Sequence, residues 1–160
     1  PGTGILLNNQ MDDFVMKPGV PNMYGLVGAE ANAIAPGKRP LSSMSPTFVE
    51  GERGVAILGT PGGSYIPSMV LLGILNWSAG ADAQAIVAAP RLHHQYQPDL
   101  VFMEAGALTA DERAGLEQRG HRINQWPATI GNMHVVTWDV NTGEVNAASD
   151  PRWGGGATVR

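Results

Sequence analysis

The sequence predicts an α+β fold in which helices pack on a mainly antiparallel sheet. Two pairs of short apolar segments are each joined by a turn sequence, which is the pattern of antiparallel hairpins. Segments with helical spacing of apolar residues lie between those pairs. The chain has 160 residues, of which 43% are hydrophobic and 15% charged. These values are typical of a globular domain, which we assign to residues 1–160.

The first forty residues contain one predicted strand and a long irregular segment. Ile5-Leu6-Leu7 is an apolar run ended by Asn8 and Asn9, which indicates a short buried strand. From Gln10 to Pro40, prolines and glycines interrupt every periodic pattern. Loops of this length inside compact domains are usually functional, so we predict that residues 15–40 form a lid.

Residues 45–148 alternate strand-like and helix-like segments with clear turn and cap signals. Thr109 followed by Glu112 predicts a capping box, and Asp82 predicts an N-cap. Gly51–Gly54 and Asn141–Gly143 are hairpin turns. In chain order we predict strands over 45–50 and 55–60, helices over 64–78 and 81–89, a strand over 100–104, a helix over 109–119, and strands over 134–139 and 144–148.

Charge and cysteine content exclude several function classes. A net charge of −4 without a run of one sign argues against nucleic acid or a membrane surface as partner. The longest apolar stretch, Met69–Trp77, is too short to cross a bilayer. Cysteine is absent, which excludes disulfides and thiolate chemistry. The chain starts at Pro1 without methionine or a leader, so we expect a processed product or a fragment.

Three stretches are candidate binding sites for a small polar ligand. Asn9–Asp13 ends in two adjacent carboxylates, which favour a cationic partner. Pro40–Thr47 contains three serines, whose hydroxyls and neighbouring amides can bind a carboxylate. For both stretches an ordinary solvated turn is the alternative interpretation. Gly59–Ser64 is a glycine turn before a helix, where amides can bind a phosphate or an oxyanion, but it lacks the lysine of a P-loop.

The sequence contains no pattern typical of a metal centre or of a serine hydrolase. His93 and His94 are adjacent, His134 is distant, and no HExxH spacing is present. We therefore interpret the histidines as packed imidazoles with satisfied nitrogens and predict no metal and no cofactor. A GxSxG nucleophile motif is also missing.

Six motifs occur in order over nearly the whole chain: ILLNNQMDDF, PGVPNMYGL, GKRPLSSMSPT, PGGS, PRLHHQ and SDPR. Together they resemble the C-terminal portion of the small subunit of gamma-glutamyltranspeptidases, and the combination of NNQMDDF with PLSSMSPT is specific. The resemblance implies the αββα sandwich of N-terminal nucleophile hydrolases, here lacking its first strands. It also implies a precursor that cleaves itself into a large and a small subunit. Members transfer gamma-glutamyl groups of donors such as glutathione to water, amino acids or peptides through a threonine ester.

The resemblance assigns roles to individual residues. They are Gln10 and Asp13 for the substrate's α-amino group, Ser42 and Ser43 for its α-carboxylate, Gly62 and Gly63 for the oxyanion hole, and Tyr24 for the lid. In the family the nucleophilic threonine lies upstream of the residue matching Ile5, so we expect this chain alone to be inactive. A periplasmic or secreted heterodimer is expected from the resemblance as well.

Two alternative functions remain at this point. An acylase of the same fold, such as a cephalosporin acylase, acts on a glutaryl-like side chain. Glutaryl has no α-amino group, so Asp13 and the long lid argue against this alternative. The other alternative is a non-catalytic product that binds amino acids or packs against a partner.

Overall fold

The computed structural model describes residues 2–5 and 7–160 and confirms the α+β class. The chain divides into two compact units, Pro1–Ser42 and Ser43–Arg160. We describe each unit by itself. The single domain over residues 1–160 and the lid over residues 15–40 stay predictions.

The first unit consists mostly of turns. Its regular elements are two short 3-10 helices, Gln10–Asp13 and Glu30–Asn32. Isolated bridges join Val15 to Ala33 and Pro21 to Val27. Among its described residues, Phe14 alone is buried. The long irregular segment expected between Gln10 and Pro40 is therefore present.

The strand predicted at Ile5–Leu7 is wrong for the two residues of it that the structure describes. Ile5 and Leu7 are 71% and 89% exposed and lie in irregular backbone, while Leu6 lies outside the described residues. An apolar run becomes a buried strand only where a neighbouring strand accepts its hydrogen bonds. No described strand pairs with Ile5 or Leu7.

The second unit contains seven strands and three α-helices among its described residues. In chain order these are β1 (Thr47–Gly51), β2 (Gly54–Gly59), α1 (Ile66–Ser78), α2 (Ala83–Ala88), β3 (Leu92–Tyr96), β4 (Asp99–Met103), α3 (Ala110–Gln118), β5 (Ile123–Gln125), β6 (His134–Asp139) and β7 (Val145–Ser149). All eight elements predicted after residue 44 are confirmed, with ends shifted by at most two residues. Strands β3 and β5 were not predicted, because one is largely polar and the other has three residues.

The strands form two sheets, where the element pattern alone predicted one and the resemblance implied the two sheets of an αββα sandwich. The first sheet is antiparallel with the order β1-β2-β6-β7, and the second has the order β3-β4-β5 with β4 and β5 parallel. Helices α1 and α2 contribute to one buried cluster with the inward residues of β2, β6 and β7. Inward residues such as Ala56, Leu58 and Val135 are at most 2% exposed. The other face of the first sheet is not covered by these helices.

The predicted helix caps are present. The Asp82 carboxylate accepts a hydrogen bond of 2.7 Å from the Ala85 amide. The Thr109 hydroxyl accepts from the Glu112 amide, and the Glu112 carboxylate accepts from the Thr109 amide at 2.8 Å. Each cap satisfies amides that have no partner within the helix. Among the described residues, every helix is too short or too polar to cross a membrane.

Candidate active site

The first unit contains an open cavity of about 430 Å³. Its lining combines one carboxylate, two cationic side chains and several neutral polar groups. The lining residues are Asn8, Gln10, Met11, Asp13, Phe14, Lys38, Arg39, Pro40 and Ser42. Three of the predicted substrate-binding residues, Gln10, Asp13 and Ser42, are therefore brought together. Tyr24 and Ser43 are not among the described residues that line the cavity.

The 3-10 helix Gln10–Asp13 presents the acidic side of this cavity. Its first turn is held by hydrogen bonds from the Gln10 amide to the Asn8 side chain at 3.2 Å and from the Asp12 amide to the Asn9 carbonyl at 3.1 Å. Phe14 follows and is 6% exposed, so it anchors the end of the helix. Asp13 is half-buried, whereas the neighbouring Asp12 is exposed. The pair of carboxylates in the sequence thus has unequal environments.

Asn32 connects the part of the cavity lining at Asp13 to the part at Ser42. Its amide group donates to the Asp13 carbonyl at 2.7 Å, and its side-chain oxygen accepts from the Leu41 amide at 3.0 Å. Its own carbonyl accepts from the Val15 amide at 2.9 Å. One side chain therefore fixes the backbone beside Asp13 and the backbone beside Ser42. Sequence reasoning missed this residue, because an asparagine between alanines carries no motif.

Lys38 and Arg39 add positive charge to the lining. The Lys38 ammonium group donates to the Ala33 carbonyl at 3.0 Å. A carboxylate and two cations on one cavity complement a zwitterionic ligand, since each end of the ligand finds opposite charge. These two cations were also missed, although GKRPLSSMSPT contains them.

In the second unit, Gly62 and Gly63 form a tight turn between β2 and α1. Gly62 has φ 144° and Gly63 has φ 55°, conformations that side chains other than glycine rarely adopt. A Cβ atom on Gly62 would lie 2.6 Å from the Met69 methyl carbon, and Met69 is completely buried. Neither amide donates a hydrogen bond to another described residue. Two glycine amides near a helix N-terminus can stabilise a negative oxygen.

The residues just before β6 also contact this turn. The Thr60 hydroxyl accepts a hydrogen bond from the Asn132 amide at 3.0 Å. Gly131 has φ 74°, and a Cβ atom there would lie 2.4 Å from the Met69 sulfur and 2.7 Å from the Thr60 hydroxyl. Close backbone approach at Gly131 therefore lets Thr60 and Met69 pack beneath the glycine turn. A lone glycine near an asparagine gives no sequence signal for this contact.

The histidines have the surroundings of packed or surface side chains. His93 is 3% exposed and contacts Ser68, while His94 is hydrogen-bonded to the exposed Asp99 at 2.8 Å. Among residues 2–5 and 7–160, no group of three or more histidine or acidic side chains is arranged to hold a metal ion.

Comparison with known proteins shows that the chain is similar to members of one family. The family model described as gamma-glutamyltranspeptidase matches residues 1–159. The glutathione hydrolase proenzyme of Pseudomonas sp. (strain A14) is 53% identical over 124 residues, which are 76% of this chain and 22% of the relative. The glutathione hydrolase proenzyme of Escherichia coli (strain K12) is 46% identical over 153 residues, 94% of this chain and 26% of the relative.

Comparison with solved structures identifies the same family as the sequence comparison. A solved structure of a gamma-glutamyltranspeptidase variant from Helicobacter pylori matches with a TM-score of 0.82 and 42% identity, covering 95% of this chain and 83% of that chain. The chain spans only about a quarter of the length of the two curated relatives, 22% and 26%.

Proposed function

The chain belongs to the gamma-glutamyltranspeptidase family, and from this premise we propose that it is part of an enzyme that transfers or hydrolyses gamma-glutamyl groups. The observation that carries the proposal is the cavity of the first unit, in which Asp13 and Ser42 share one lining with Lys38 and Arg39. The free end of a gamma-glutamyl group is a zwitterion. A lining with both signs of charge fits that end better than it fits a purely anionic or apolar ligand.

Each residue has a distinct role in this proposal. Asp13 and Gln10 bind the α-amino group, because a carboxylate paired with an ammonium forms a stronger bond than neutral partners do. Ser42 and Ser43 donate to the α-carboxylate, and Tyr24 belongs to a lid over residues 15–40. The amides of Gly62 and Gly63 stabilise the oxyanion that forms when the gamma-carbonyl is attacked.

The reaction proceeds through an ester in this proposal. The amine of an N-terminal threonine takes the proton of its own hydroxyl, which attacks the gamma-carbonyl and releases the amine leaving group. Water or the amino group of an acceptor then attacks the ester and regenerates the threonine. The nucleophile is assigned to the precursor upstream of the residue matching Ile5, and the enzyme is assigned to the periplasm or the secreted fraction by family resemblance.

A large subunit of the same precursor is the proposed protein partner. The uncovered face of the first sheet is apolar: Phe48, Ile57, Val136, Trp138 and Val145 are 40–74% exposed. Their register places Ile57 between Phe48 and Val136, and Trp138 beside Val145, so they form a continuous patch. Apolar patches of this kind usually contact another protein surface. Co-purification of the two processed subunits tests this assignment.

Kinetics of the complete processed enzyme test the function. We expect Asp13→Ala to abolish turnover of gamma-glutamyl anilide at ordinary substrate concentrations, lowering kcat/KM by at least about 1,000-fold, because the ammonium group loses its ionic partner. Asp12→Ala is the matched control, since Asp12 is exposed and does not line the cavity. Near-normal kcat/KM in Asp13→Ala would refute the assignment. Faster hydrolysis of glutaryl than of gamma-glutamyl anilide would favour the acylase, and no turnover of either would favour a binding role.

A further inference from the structure

A chain of hydrogen bonds runs from the start of α1 to β3. The Ser64 hydroxyl, one residue after Gly63, donates to the Gln95 side-chain oxygen at 3.0 Å. The same oxygen lies 2.9 Å from Nε2 of His93, and Nδ1 of His93 lies 2.6 Å from the Ser68 hydroxyl. Two residues of β3 therefore contact Ser64, which precedes α1, and Ser68, which lies in the first turn of α1.

The orientation of the Gln95 amide determines the direction of these bonds. Its nitrogen donates to the Gln97 carbonyl at 2.7 Å, so its oxygen faces Ser64 and His93 as an acceptor. Nε2 of His93 must then carry a proton and donate it to that oxygen. Burial is the main cause that lowers the pKa of His93, against the Gln95 hydrogen bond that raises it. Nδ1 of the neutral imidazole is then an acceptor for the Ser68 hydroxyl, which has the Tyr65 carbonyl at 3.0 Å as its alternative acceptor.

This serine–histidine pair is not arranged for nucleophilic catalysis. Gln95 is neutral and cannot stabilise an imidazolium as the carboxylate of a catalytic triad does. The Tyr65 ring stacks on His93 with centroids 4.0 Å apart, and His93 is 3% exposed. A substrate has no access to the imidazole in this arrangement. We therefore expect these hydrogen bonds to fix the backbone of the residues that form them.

The backbone in question is the turn that contains Gly62 and Gly63. Glycine at positive φ gives this turn more conformational freedom than other residues would. Neither Gly62, before the 3-10 turn Gly63–Tyr65, nor Tyr65, before α1, makes a side-chain cap. Ser64 and Ser68 provide the missing attachment, because they connect the first turn of the helix to β3, a strand held by β4.

We infer that His93 and Gln95 are positioning residues, which hold the Gly62 and Gly63 amides in the orientation that stabilises the oxyanion. The inference rests on the proposed function, since it presupposes an oxyanion at these amides. Positioned donors lower the barrier of the reaction step, whereas the glutamyl end is bound by other residues. Loss of the attachment must therefore lower kcat more than it raises KM.

The test is steady-state kinetics of the complete processed enzyme with a gamma-glutamyl anilide. We expect Gln95→Leu to lower kcat about tenfold, because a donor displaced by a fraction of an ångström loses much of its effect. KM is expected to stay within about twofold, since ground-state binding is unchanged. Gln97→Leu is the matched control, because that side chain is exposed and only its carbonyl is used.

Ser64 gives an independent and less disruptive variant. Ser64→Ala is expected to lower kcat as Gln95→Leu does, and Ser64→Thr, which keeps the hydroxyl, is expected to restore it. The double variant should be no slower than Gln95→Leu, because Gln95→Leu already removes the contact with Ser64. Thermal unfolding midpoints of all variants separate this effect from loss of folded enzyme.

The outcomes are distinguishable. An active wild-type enzyme with unchanged kcat in folded Gln95→Leu and Ser64→Ala overturns this inference and leaves the proposed function intact. A rise in KM that matches the fall in kcat, or an equal loss in Gln97→Leu, also overturns it. A wild-type enzyme without gamma-glutamyl turnover overturns the proposed function and this inference together.

Discussion

The two units of the chain are held together by different interactions. In the first unit Phe14 is the one buried side chain among the described residues, and asparagine side chains fix the turns. Asn22, for example, accepts hydrogen bonds from the Tyr24 and Leu26 amides at 2.9 and 3.0 Å. In the second unit a continuous cluster of 13 buried residues joins the first sheet to two helices. One unit is ordered by polar contacts and the other by apolar burial.

This difference indicates what each unit contributes to the proposed function. Exposed hydrogen bonds contribute about 1 kcal/mol each, so the first unit is expected to open locally at low cost while it presents charged side chains to a ligand. The second unit presents backbone amides at Gly62 and Gly63, whose positions depend on a rigid core. We therefore expect substitutions in the first unit to change ligand binding and substitutions of buried residues in the second unit to change stability.

The largest stability effect is expected at Asp150 in the second unit. Asp150 is 1% exposed and forms a 2.8 Å ion pair with Arg91, which is 2% exposed. Burial alone would raise the pKa of Asp150, but hydrogen bonds from the Arg152 amide and the Arg91 guanidinium outweigh it and the pKa is lowered. Asp150→Ala removes the carboxylate that pairs with the buried Arg91 guanidinium, which keeps only its hydrogen bonds to the Val87 and Ile130 carbonyls. The expected loss is about 3–5 kcal/mol in the free energy of urea unfolding.

Asp99→Ala is the control for this prediction. Like Asp150, Asp99 is hydrogen-bonded to a basic side chain, His94, but the Asp99 side chain is 72% exposed. Exposed pairs contribute at most about 1 kcal/mol. Equal unfolding midpoints for the two variants would contradict the prediction that a buried ion pair costs more to break than an exposed one.

The next largest difference in stability is expected between alanine variants of two glycines, one from each unit. Gly131 and Gly37 have nearly equal φ values of 74° and 73°, but only Gly131 is crowded, by Met69 and Thr60. An alanine costs about 1–2 kcal/mol at either position because of the backbone. Overpacking adds about 1–3 kcal/mol at Gly131 alone. Urea unfolding of Gly131→Ala and Gly37→Ala measures the difference, and equal losses would contradict the division between a packed and a loosely packed unit.

The fold of the second unit was predictable where its sequence signals are local. The hairpins β1–β2 and β6–β7 and all three helices were predicted because their signals are local: alternation, helical spacing, and caps at Asp82 and Thr109. Strand β3 was missed because Leu92–Tyr96 is largely polar and has no alternation of apolar and polar residues. His93 and Gln95 are buried or half-buried only because Ser64 and Ser68, about 25 to 31 residues earlier, satisfy their polar atoms.

The candidate site was predictable to a smaller extent. Gln10, Asp13 and Ser42 were identified through motifs, and the structure places them on one cavity. Asn32 was not identified, because its two bonds reach 19 residues back and 9 residues forward. Local sequence rules describe neither contact. Such connecting residues become visible only when the backbone path is known.

Asn32 therefore provides the sharpest functional test of the first unit. Asn32→Ala removes the bonds to the Asp13 carbonyl and the Leu41 amide, so the two sides of the cavity lose their connection. We expect KM for a gamma-glutamyl anilide to rise about tenfold, the equivalent of about 1.4 kcal/mol and of one to two hydrogen bonds. Asn9→Ala is the control, because the Asn9 side chain makes no cap bond and does not line the cavity. An unchanged KM with a lower unfolding midpoint would assign Asn32 to stability alone.

The smallest expected effect is a pH dependence that belongs to the second unit. The pKa of His93 is lowered mainly by burial, with a further decrease from His94, so the folded protein keeps this imidazole neutral where the unfolded chain binds a proton. Stability from His93 is therefore complete above the unfolded pKa of about 6.5 and is lost as pH falls through the lowered folded pKa. The urea midpoint should fall from pH 7 toward pH 5.5, above the range in which carboxylates titrate. In His93→Phe, which keeps the ring against Tyr65 but cannot bind a proton, the slope should be smaller. An equal slope would mean that other groups cause the dependence and that burial of His93 does not link stability to pH.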